Sequence, residues 1–326
     1  MKTATMKPGL WLIAGLIVSL CLAGCPQKKQ DKDSGKITLG LGLDKGKSYT
    51  YEMNGTITIK QSMNGNEQTL PEMKMKMTQH MAVEKDKSPD FHVKARLEGF
   101  SMDIPGLPDE IKKKMDELYA AMNGAEFSFA VTPKGEIKSF KGLKEYMARL
   151  GKTMQGDPMS AQMFKSLEQY INDEQLLKQM GILYNFGASG RKLSPGETWD
   201  AKFDMPMAGA DKPLALKIKY KLDQVKTVEG AKTAILTFDS KQSYGEQGMP
   251  FMEDLMKESA PNMSVKVFLH EFNMDGRIIM DLTNNWLKLA EPNSTIKLRV
   301  VISPPDQPTR EVTQTVHSAV AMKLVK

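Results

Sequence analysis

Residues 73–83 read M-K-M-K-M-T-Q-H-M-A-V, and their alternation decides the fold class that we predict. Apolar methionine side chains fall on one side of an extended chain, while most of the polar side chains fall on the other. The same two-residue rhythm runs from Tyr49 to Ile59 before this segment and from Phe91 to Leu97 after it. Such a period, interrupted by polar turns, predicts antiparallel strands with one buried and one solvated face.

Other segments follow the helical period instead. Acidic residues open a segment at 108–122 whose apolar residues recur at helical spacing, and a shorter segment of this kind spans 143–150. Further helices are predicted at about 160–185 and at 251–256. Between the first two helices, residues 127–140 have the pattern of a β-hairpin with a Thr-Pro-Lys-Gly turn.

The second half of the chain resembles the first. Gly196-Glu197-Thr198-Trp199 matches Gly46-Lys47-Ser48-Tyr49 as a glycine, two polar residues and an aromatic residue that opens a strand. A long hairpin is predicted at 214–244. Residues 265–282, with a turn at 273–276, repeat the strand–turn–strand pattern of the hairpin in the first half. These likenesses predict a duplicated unit.

The predicted fold class is therefore α+β. We expect one or two curved antiparallel sheets, built from a duplicated strand–strand–strand–helix–hairpin unit, with the helices packed on the concave face. The predicted organisation is a signal peptide at 1–24, an acylated cysteine and tether at 25–35, a first β-rich half at 36–155, a helical connector at 156–190 and a second β-rich half at 191–326.

Both cysteines of the chain lie near its N-terminus, at Cys21 and Cys25. Lysines precede an apolar run at 10–22, and small residues follow it, which is the layout of a secretory signal. Spanning a bilayer requires about 20 apolar residues, so the run is short for a transmembrane helix. The tetrad Leu22-Ala23-Gly24-Cys25 resembles the lipobox of bacterial lipoproteins. This resemblance implies cleavage between Gly24 and Cys25, diacylglycerol on the Cys25 thiol and acylation of the new amine, as with palmitate.

The lipobox resemblance also implies a location. The membrane would be a partner through the lipid on Cys25, and polar residues 26–35 would form a tether in the cell envelope. Lipoproteins retained in the inner membrane often carry aspartate directly after the cysteine, whereas this chain has Pro26. The outer membrane is therefore expected in a Gram-negative cell, on its periplasmic or its surface face. Two alternatives stay open: an ordinary signal peptide with an incidental cysteine, and an uncleaved N-terminal anchor.

Sequence motifs of catalysis are absent, including H-E-x-x-H, G-x-S-x-G and the Walker loop. The four histidines are scattered over predicted strands. A hairpin would allow His80 and His92 to meet, but solvated or satisfied side chains are the simpler interpretation. We therefore predict no enzyme, no catalytic residue, no metal site and no cofactor. The formal net charge of +6 is spread along the chain without a basic and aromatic platform, so nucleic acid is not a predicted partner. Protein partners stay unknown.

Methionine is abundant, with 25 residues in the chain. The stripe from Met73 to Met77 fits a buried core first, then an adaptable apolar cavity, and least of all a thioether site for Cu(I). An unfilled cavity would hold a lipid or another apolar ligand between the sheet and the helices. Its predicted lining is Met73, Met75, Met77, Phe127 and Phe129. The alternative is that the helices fill this space and the protein is a structural or protein-interaction module of the envelope.

The β-rich part after the signal segment carries a second resemblance. Its repeated glycine-x-x-aromatic pattern is similar to that of an uncharacterised family of bacterial envelope lipoproteins, which implies no assigned activity. The expected architecture also resembles that of envelope lipoprotein carriers, whose curved sheets hold acyl chains. No diagnostic motif accompanies the likeness to these carriers, so that likeness is one of architecture.

Overall fold

A computed structural model describes most of the chain after the signal segment and tether. The described residues are 36–39, 43–63, 65–154, 164, 191–205, 213–228, 230–250, 253, 263–283, 286–305 and 308–325. Cys25, Gly24 and most of the predicted helices at 160–185 and 251–256 lie outside these residues. In the described part of the chain, no helix is both long enough and apolar enough to cross a membrane.

Antiparallel strands dominate the described chain. They are β1 (Ile37–Thr38), β2 (Ser48–Met63), β3 (Asn66–Thr69), β4 (Met73–Val83), β5 (Phe91–Asp103), β6 (Ala125–Val131), β7 (Ile137–Lys141), β8 (Lys192–Leu193), β9 (Thr198–Met205), β10 (Leu214–Val228), β11 (Ala231–Gly248), β12 (Ser264–Asp281), β13 (Trp286–Ser303) and β14 (Arg310–Leu324). Helices α1 (Asp109–Met122) and α2 (Leu143–Met154) accompany them. The helices and strands predicted within these ranges are present, although several strands are longer than predicted.

The predicted α+β class is wrong. Strands make up 67% of the described structure and helices only 13%, so the protein is mostly β. The expectation that helices cover the concave face fails with it, because α1 and α2 pack mainly on each other, on β5 and on β6. The two helices predicted within the described residues are present. Far more residues lie in strands, however, because five strands of the second half are 15 to 18 residues long.

One 12-stranded sheet contains all the strands except the short pair β1 and β8. Its order is β7-β6-β5-β4-β2-β14-β13-β12-β11-β10-β9, with β3 beside β2. The chain enters the middle of the sheet at β2, proceeds to β7, continues at the opposite edge with β9 and returns to β2 through β14. The two predicted halves therefore share one sheet, joined where β14 pairs with β2.

The two glycine turns that the sequence matched to each other have the same geometry. The Gly46 N–H donates to the Val83 carbonyl at 2.8 Å, and the Gly196 N–H donates to the Leu222 carbonyl at 2.6 Å. Both glycines have positive φ, at 82° and 88°, where side chains are disfavoured. The likeness ends in the sheet itself, where β2 is an interior strand and β9 is an edge strand.

The inner face of the sheet is apolar and continuous. Its largest cluster of buried side chains includes members from β2, β4, β5 and β6 in the first half and from β9 to β14 in the second. The small β1–β8 pair belongs to the same cluster, since Ile37 is 1% and Leu193 0% exposed. The N-terminal end of the described chain is thus part of the main core.

Strand β12 corrects a second prediction. The sequence Asn-Met-Asp-Gly at 273–276 predicted a turn, yet β12 continues through it and pairs with β11 and β13 on either side. A register shift between Leu269 and Glu271 changes which side chains face inward, from odd-numbered residues before it to even-numbered residues after it. Pairing along both edges of the strand outweighs the local turn preference of these residues.

Candidate functional site

All five residues of the predicted apolar cavity are buried. Met75, Met77, Phe127 and Phe129 belong to the main core cluster, with exposures from 2% to 9%. Met73 packs instead with Ile57 and Ile59 in a separate small cluster. The structure thus brings four of the five together. Whether they line an unfilled space stays a prediction.

The strand register shows which side chains meet across this face. Strand β5 lies between β4 and β6, and it places Ala95 opposite Met81 on one side and opposite Phe127 on the other. In this row, the small side chain of Ala95 therefore lies between the large side chains of Met81 and Phe127. Met81, which the predicted lining omitted, lies in register with Phe127 through Ala95, and the sequence alone could not reveal this pairing.

Methionine side chains from several elements share this cluster. Its buried methionines are Met53, Met75, Met77, Met81, Met102, Met122, Met147, Met280 and Met322. A thioether is flexible and polarizable, so a surface made of many methionines can adjust to apolar groups of different shapes. Met122 of α1 and Met147 of α2 belong to the same cluster as the buried methionines of β2, β4 and β5.

Two tyrosine hydroxyls are buried in this apolar region. Tyr119 of α1 packs edge-on against Phe100 at 5.2 Å between ring centroids, and Tyr146 of α2 packs likewise against Phe127 at 5.5 Å. Among the described residues, neither hydroxyl has a hydrogen-bond partner. Burial raises the pKa of both tyrosines, so the two hydroxyls keep their protons at neutral pH. Each is an unused hydrogen-bond donor inside the core.

A guanidinium group lies near Tyr146, the second of these tyrosines. Arg149 of α2 donates from Nη1 to the carbonyl oxygen of Asn123, the residue that ends α1, at 3.3 Å. Its Nε is buried and has no partner in the described chain. Arg149 also opposes the rise in the pKa of Tyr146, as expected for a positive charge close to that hydroxyl. We call Tyr119, Asn123, Tyr146 and Arg149 the α1–α2 corner.

The histidines do not form the pair that the sequence left open. His80 contacts the Thr50 hydroxyl and a Glu98 oxygen, both at 3.0 Å, whereas His92 contacts Asp86. The Thr50–His80–Glu98 chain has the order of a catalytic triad. However, His80 and Glu98 are each 42% exposed on the outer face, so we interpret it as a surface network across three strands.

An ion-pair network fixes the turn between β4 and β5. Ligand atoms of Glu84, Asp86 and His92 lie within 4.8 Å of one another, a spacing that a metal ion could bridge. The acidic groups already form ion pairs with lysines: Lys45 Nζ contacts Asp86 at 2.6 Å, and Lys94 Nζ contacts Glu84 at 2.9 Å. This network therefore ties the β1–β2 turn to the β4–β5 turn without an ion.

The Asp86 carboxylate gives this turn a defined acid sensitivity. Lys45, and then His92, lower the pKa of Asp86 from 3.8 to about 2. The contribution of Asp86 to stability is therefore complete above pH 3.8 and is lost as the pH falls towards about 2. We expect Asp86→Asn to be less stable than the unmodified chain at about pH 5 and equally stable below about pH 2, measured by urea unfolding. Asp103→Asn, at an exposed position in β5, is the control, and an unchanged difference across this range would contradict the prediction.

A groove crosses the outer face of the second half. It has a volume of about 610 Å³ and is lined by side chains of β9 to β13. Its charged groups largely satisfy one another, since Arg277 pairs with Glu291 and the Asn293 amide donates to Asp275 at 3.2 Å. No sequence pattern indicated this groove, because its lining residues become neighbours only through the register of five strands. We interpret it as a solvated lattice of cross-strand pairs.

The comparison with protein families decides where this chain belongs. The model of a family of unknown function, DUF6263, matches residues 89–287, which is more than half of the chain. The chain belongs to this family. The DUF6263 match includes β5, α1, β6 and α2, and therefore the whole α1–α2 corner, whereas the methionine-rich strand β4 precedes it.

Known proteins outside the DUF6263 family add little. No curated protein matches the chain. A structure titled "Lipid-protein interactions in lipovitellin" is similar at 10% identity and a TM-score of 0.37, and it aligns with 87% of this chain. The chain spans 26% of that lipovitellin chain. DynF from the dynemicin biosynthesis pathway of Micromonospora chersina aligns over 92% of this chain and 93% of its own, at 9% identity and a TM-score of 0.18. Such low TM-scores carry no functional argument.

Proposed function

We propose that this DUF6263 protein is a lipid-anchored protein of the cell envelope that binds an apolar ligand on its methionine-rich inner face. The observation that carries the binding proposal is the meeting of this face with the α1–α2 corner. Nine buried methionines share one core cluster with Tyr119 and Tyr146, whose hydroxyls have no hydrogen-bond partner among the described residues. Unpaired polar atoms inside a core are costly, and a ligand that supplies the missing partner would remove that cost.

The chemistry of the inner face favours a flexible, chain-like ligand. Aliphatic cores are usually packed with branched side chains that fix one arrangement, whereas methionine has an unbranched chain with several accessible rotamers. Ala95 adds to this by leaving its row of β5 without a large side chain between Met81 and Phe127. These features support an acyl chain or a similar apolar group as the ligand.

Membrane attachment through Cys25 would place the protein where such ligands occur. Its support is the lipobox-like tetrad and the polar segment 26–35 that follows it. Lipid anchoring needs no transmembrane helix, because two or more acyl chains hold a protein stably at a bilayer. In a Gram-negative cell, we propose the outer membrane as the site of attachment because Pro26 follows the cysteine.

Co-purification provides the first test of ligand binding. Residues 26–326, which retain every residue that the structure describes, would be exported behind an ordinary cleavable signal and purified without detergent. Mass spectrometry of an organic extract is expected to find a stoichiometric apolar compound. An empty extract, together with no binding of an apolar fluorescent probe, would exclude the proposal and leave the structural or protein-interaction module.

Filling the space at Ala95 distinguishes a ligand site from a solid core. We expect Ala95→Leu to fold with nearly unchanged stability and to lose the co-purified compound, because leucine would occupy the volume of the ligand. In a core that is already filled, the extra side chain would instead destabilise the fold by about 1–3 kcal/mol. Ala82→Leu, at an exposed position on the outer face of β4, is the matched control and should alter neither property.

A further inference from the structure

The α1–α2 corner contains more hydrogen-bond donors than an apolar ligand needs. Tyr119 is 4% and Tyr146 is 6% exposed, and among the described residues their hydroxyl oxygens and the Arg149 Nε lack any hydrogen-bond partner. All three groups have hydrogen atoms to donate. Leaving buried donors unused costs about 1–3 kcal/mol each, so several in one region call for an explanation.

Hydrogen bonds at Asn123 link the two helices that carry these groups, and the charge of Arg149 acts on the pKa of Tyr146. The Asn123 N–H donates to the Tyr119 carbonyl at 3.1 Å, and the Asn123 carbonyl accepts from Arg149. Tyr146 and Arg149 are three residues apart on α2, which puts them on one side of that helix. The corner therefore joins the C-terminal end of α1 to the middle of α2, directly beside Phe100 and Phe127.

A structural explanation covers only part of this arrangement. The positive charge of Arg149 at the end of α1 is favourable for the helix dipole, and one of its N–H groups satisfies the Asn123 carbonyl. This leaves its buried Nε and both tyrosine hydroxyls unexplained. A guanidinium group with two neutral hydroxyl donors is a set that suits an anion, since Arg binds carboxylate and phosphate through several N–H groups.

We infer that the α1–α2 corner binds the anionic head group of an amphiphile whose apolar chain lies on the methionine-rich face. This inference rests on the proposed function and narrows its ligand to a compound with a carboxylate or phosphate head. Arg149 would supply the charge and the tyrosines would donate hydrogen bonds to the remaining oxygen atoms. A neutral hydrocarbon would leave the same donors unpaired, so the corner would discriminate against it.

The test uses a matched pair of fluorescent probes, cis-parinaric acid and its methyl ester, with residues 26–326. We expect the acid to bind roughly tenfold or more tightly than the ester, because hydrogen bonds to charged groups contribute that much. Arg149→Gln should abolish this preference by weakening the acid alone. Arg96→Gln, at a 53% exposed arginine, is the control and should bind as the unmodified chain does.

Tyr146→Phe separates ligand binding from a structural role. The substitution retains the ring that packs on Phe127 and removes only the hydroxyl. We expect acid affinity to fall by roughly threefold to tenfold while the ligand-free protein is equally stable or more stable, because an unpaired buried donor has been removed. Lower stability without ligand would overturn the inference, since it would reveal a structural hydrogen bond.

The outcomes separate this inference from the proposed function. Equal binding of acid and ester would overturn the anionic head group and leave apolar ligand binding intact, whereas binding of neither would remove both. If the acid is preferred, competition identifies the head group. Displacement by palmitate would assign a carboxylate and displacement by hexadecyl phosphate would assign a phosphate, and either result supports the inference.

Discussion

Replacing Cys25 with alanine is expected to abolish lipid attachment and signal cleavage together. In the lipoprotein family that the tetrad Leu22–Cys25 resembles, the thiol is alkylated first and the chain is cut afterwards. Without the thiol, the protein should accumulate as a longer precursor that retains residues 1–24. Metabolic labelling with an alkyne analogue of palmitate would report the lipid, and mass spectrometry of the N-terminus would report the cut.

Cys21 provides a matched control for that experiment. It is the only other cysteine in the chain and lies in the segment that cleavage would discard, so Cys21→Ala should be labelled and cut as usual. A Cys25→Ala protein that is still cut before position 25, together with an unlabelled parent, would identify an ordinary signal peptide. Retention of label by both variants would show that either cysteine can carry the lipid.

Replacing Gly276 with alanine is expected to destabilise the sheet by about 3 kcal/mol, at the upper end of the usual range for overpacking. A Cβ atom at Gly276 would lie 2.4 Å from the Glu291 carbonyl oxygen and 2.7 Å from the Phe238 ring. The first of these atoms belongs to the backbone of β13, so a rotamer change cannot relieve the contact. Urea unfolding of residues 26–326 would measure the loss.

Gly248→Ala is the control for this substitution. Gly248 also lies in a strand, but a Cβ atom there would have no neighbour within 4 Å. Its stability should change by no more than about 0.5 kcal/mol. Equal effects of the two substitutions would contradict the argument from close approach and would point to a general loss of backbone freedom.

Gly276 lies at the end of a row of aromatic side chains in the second half. The inner row of the sheet there runs from Trp199 through Tyr220 and Phe238 to Gly276. The Trp199 and Tyr220 rings stack at 5.6 Å between centroids, and Phe238 covers the glycine that has no side chain of its own. A glycine that reads as a turn residue in the sequence is thus a packing position in the sheet.

The sequence predicted local structure better than long-range structure. Alternation in β4, the hairpin of β6 and β7, and helices α1 and α2 all depend on neighbouring residues, and the structure confirms them. The turn predicted at 273–276 failed because pairing with β11 and β13 outweighs local preference. The predicted α+β class was wrong for the same reason. The strands are longer than predicted because they pair with strands that are distant in the sequence.

The candidate site was predicted in part for a similar reason. Burial of Met75 and Met77 followed from alternation, which is a property of one strand. Met81 is part of the candidate site because it lies in register with Ala95 and Phe127. This register cannot be predicted from any single segment of the sequence. The α1–α2 corner was missed because Tyr119 and Arg149 look like ordinary helix residues until two helices bring them together. An arginine three residues after an apolar-face tyrosine was the only signal available.

The position of β14 beside β2 has a consequence for how the chain folds. Strand β2 is synthesised early, yet it pairs with β14, the last strand that the structure describes. Pairing of residues so far apart in sequence carries a large loop-closure entropy, and chains dominated by such contacts fold slowly. The middle of the sheet therefore stays incomplete until β14 has been synthesised. During that interval the edge of β2 that pairs with β14 has no partner, and an unpaired strand edge promotes aggregation.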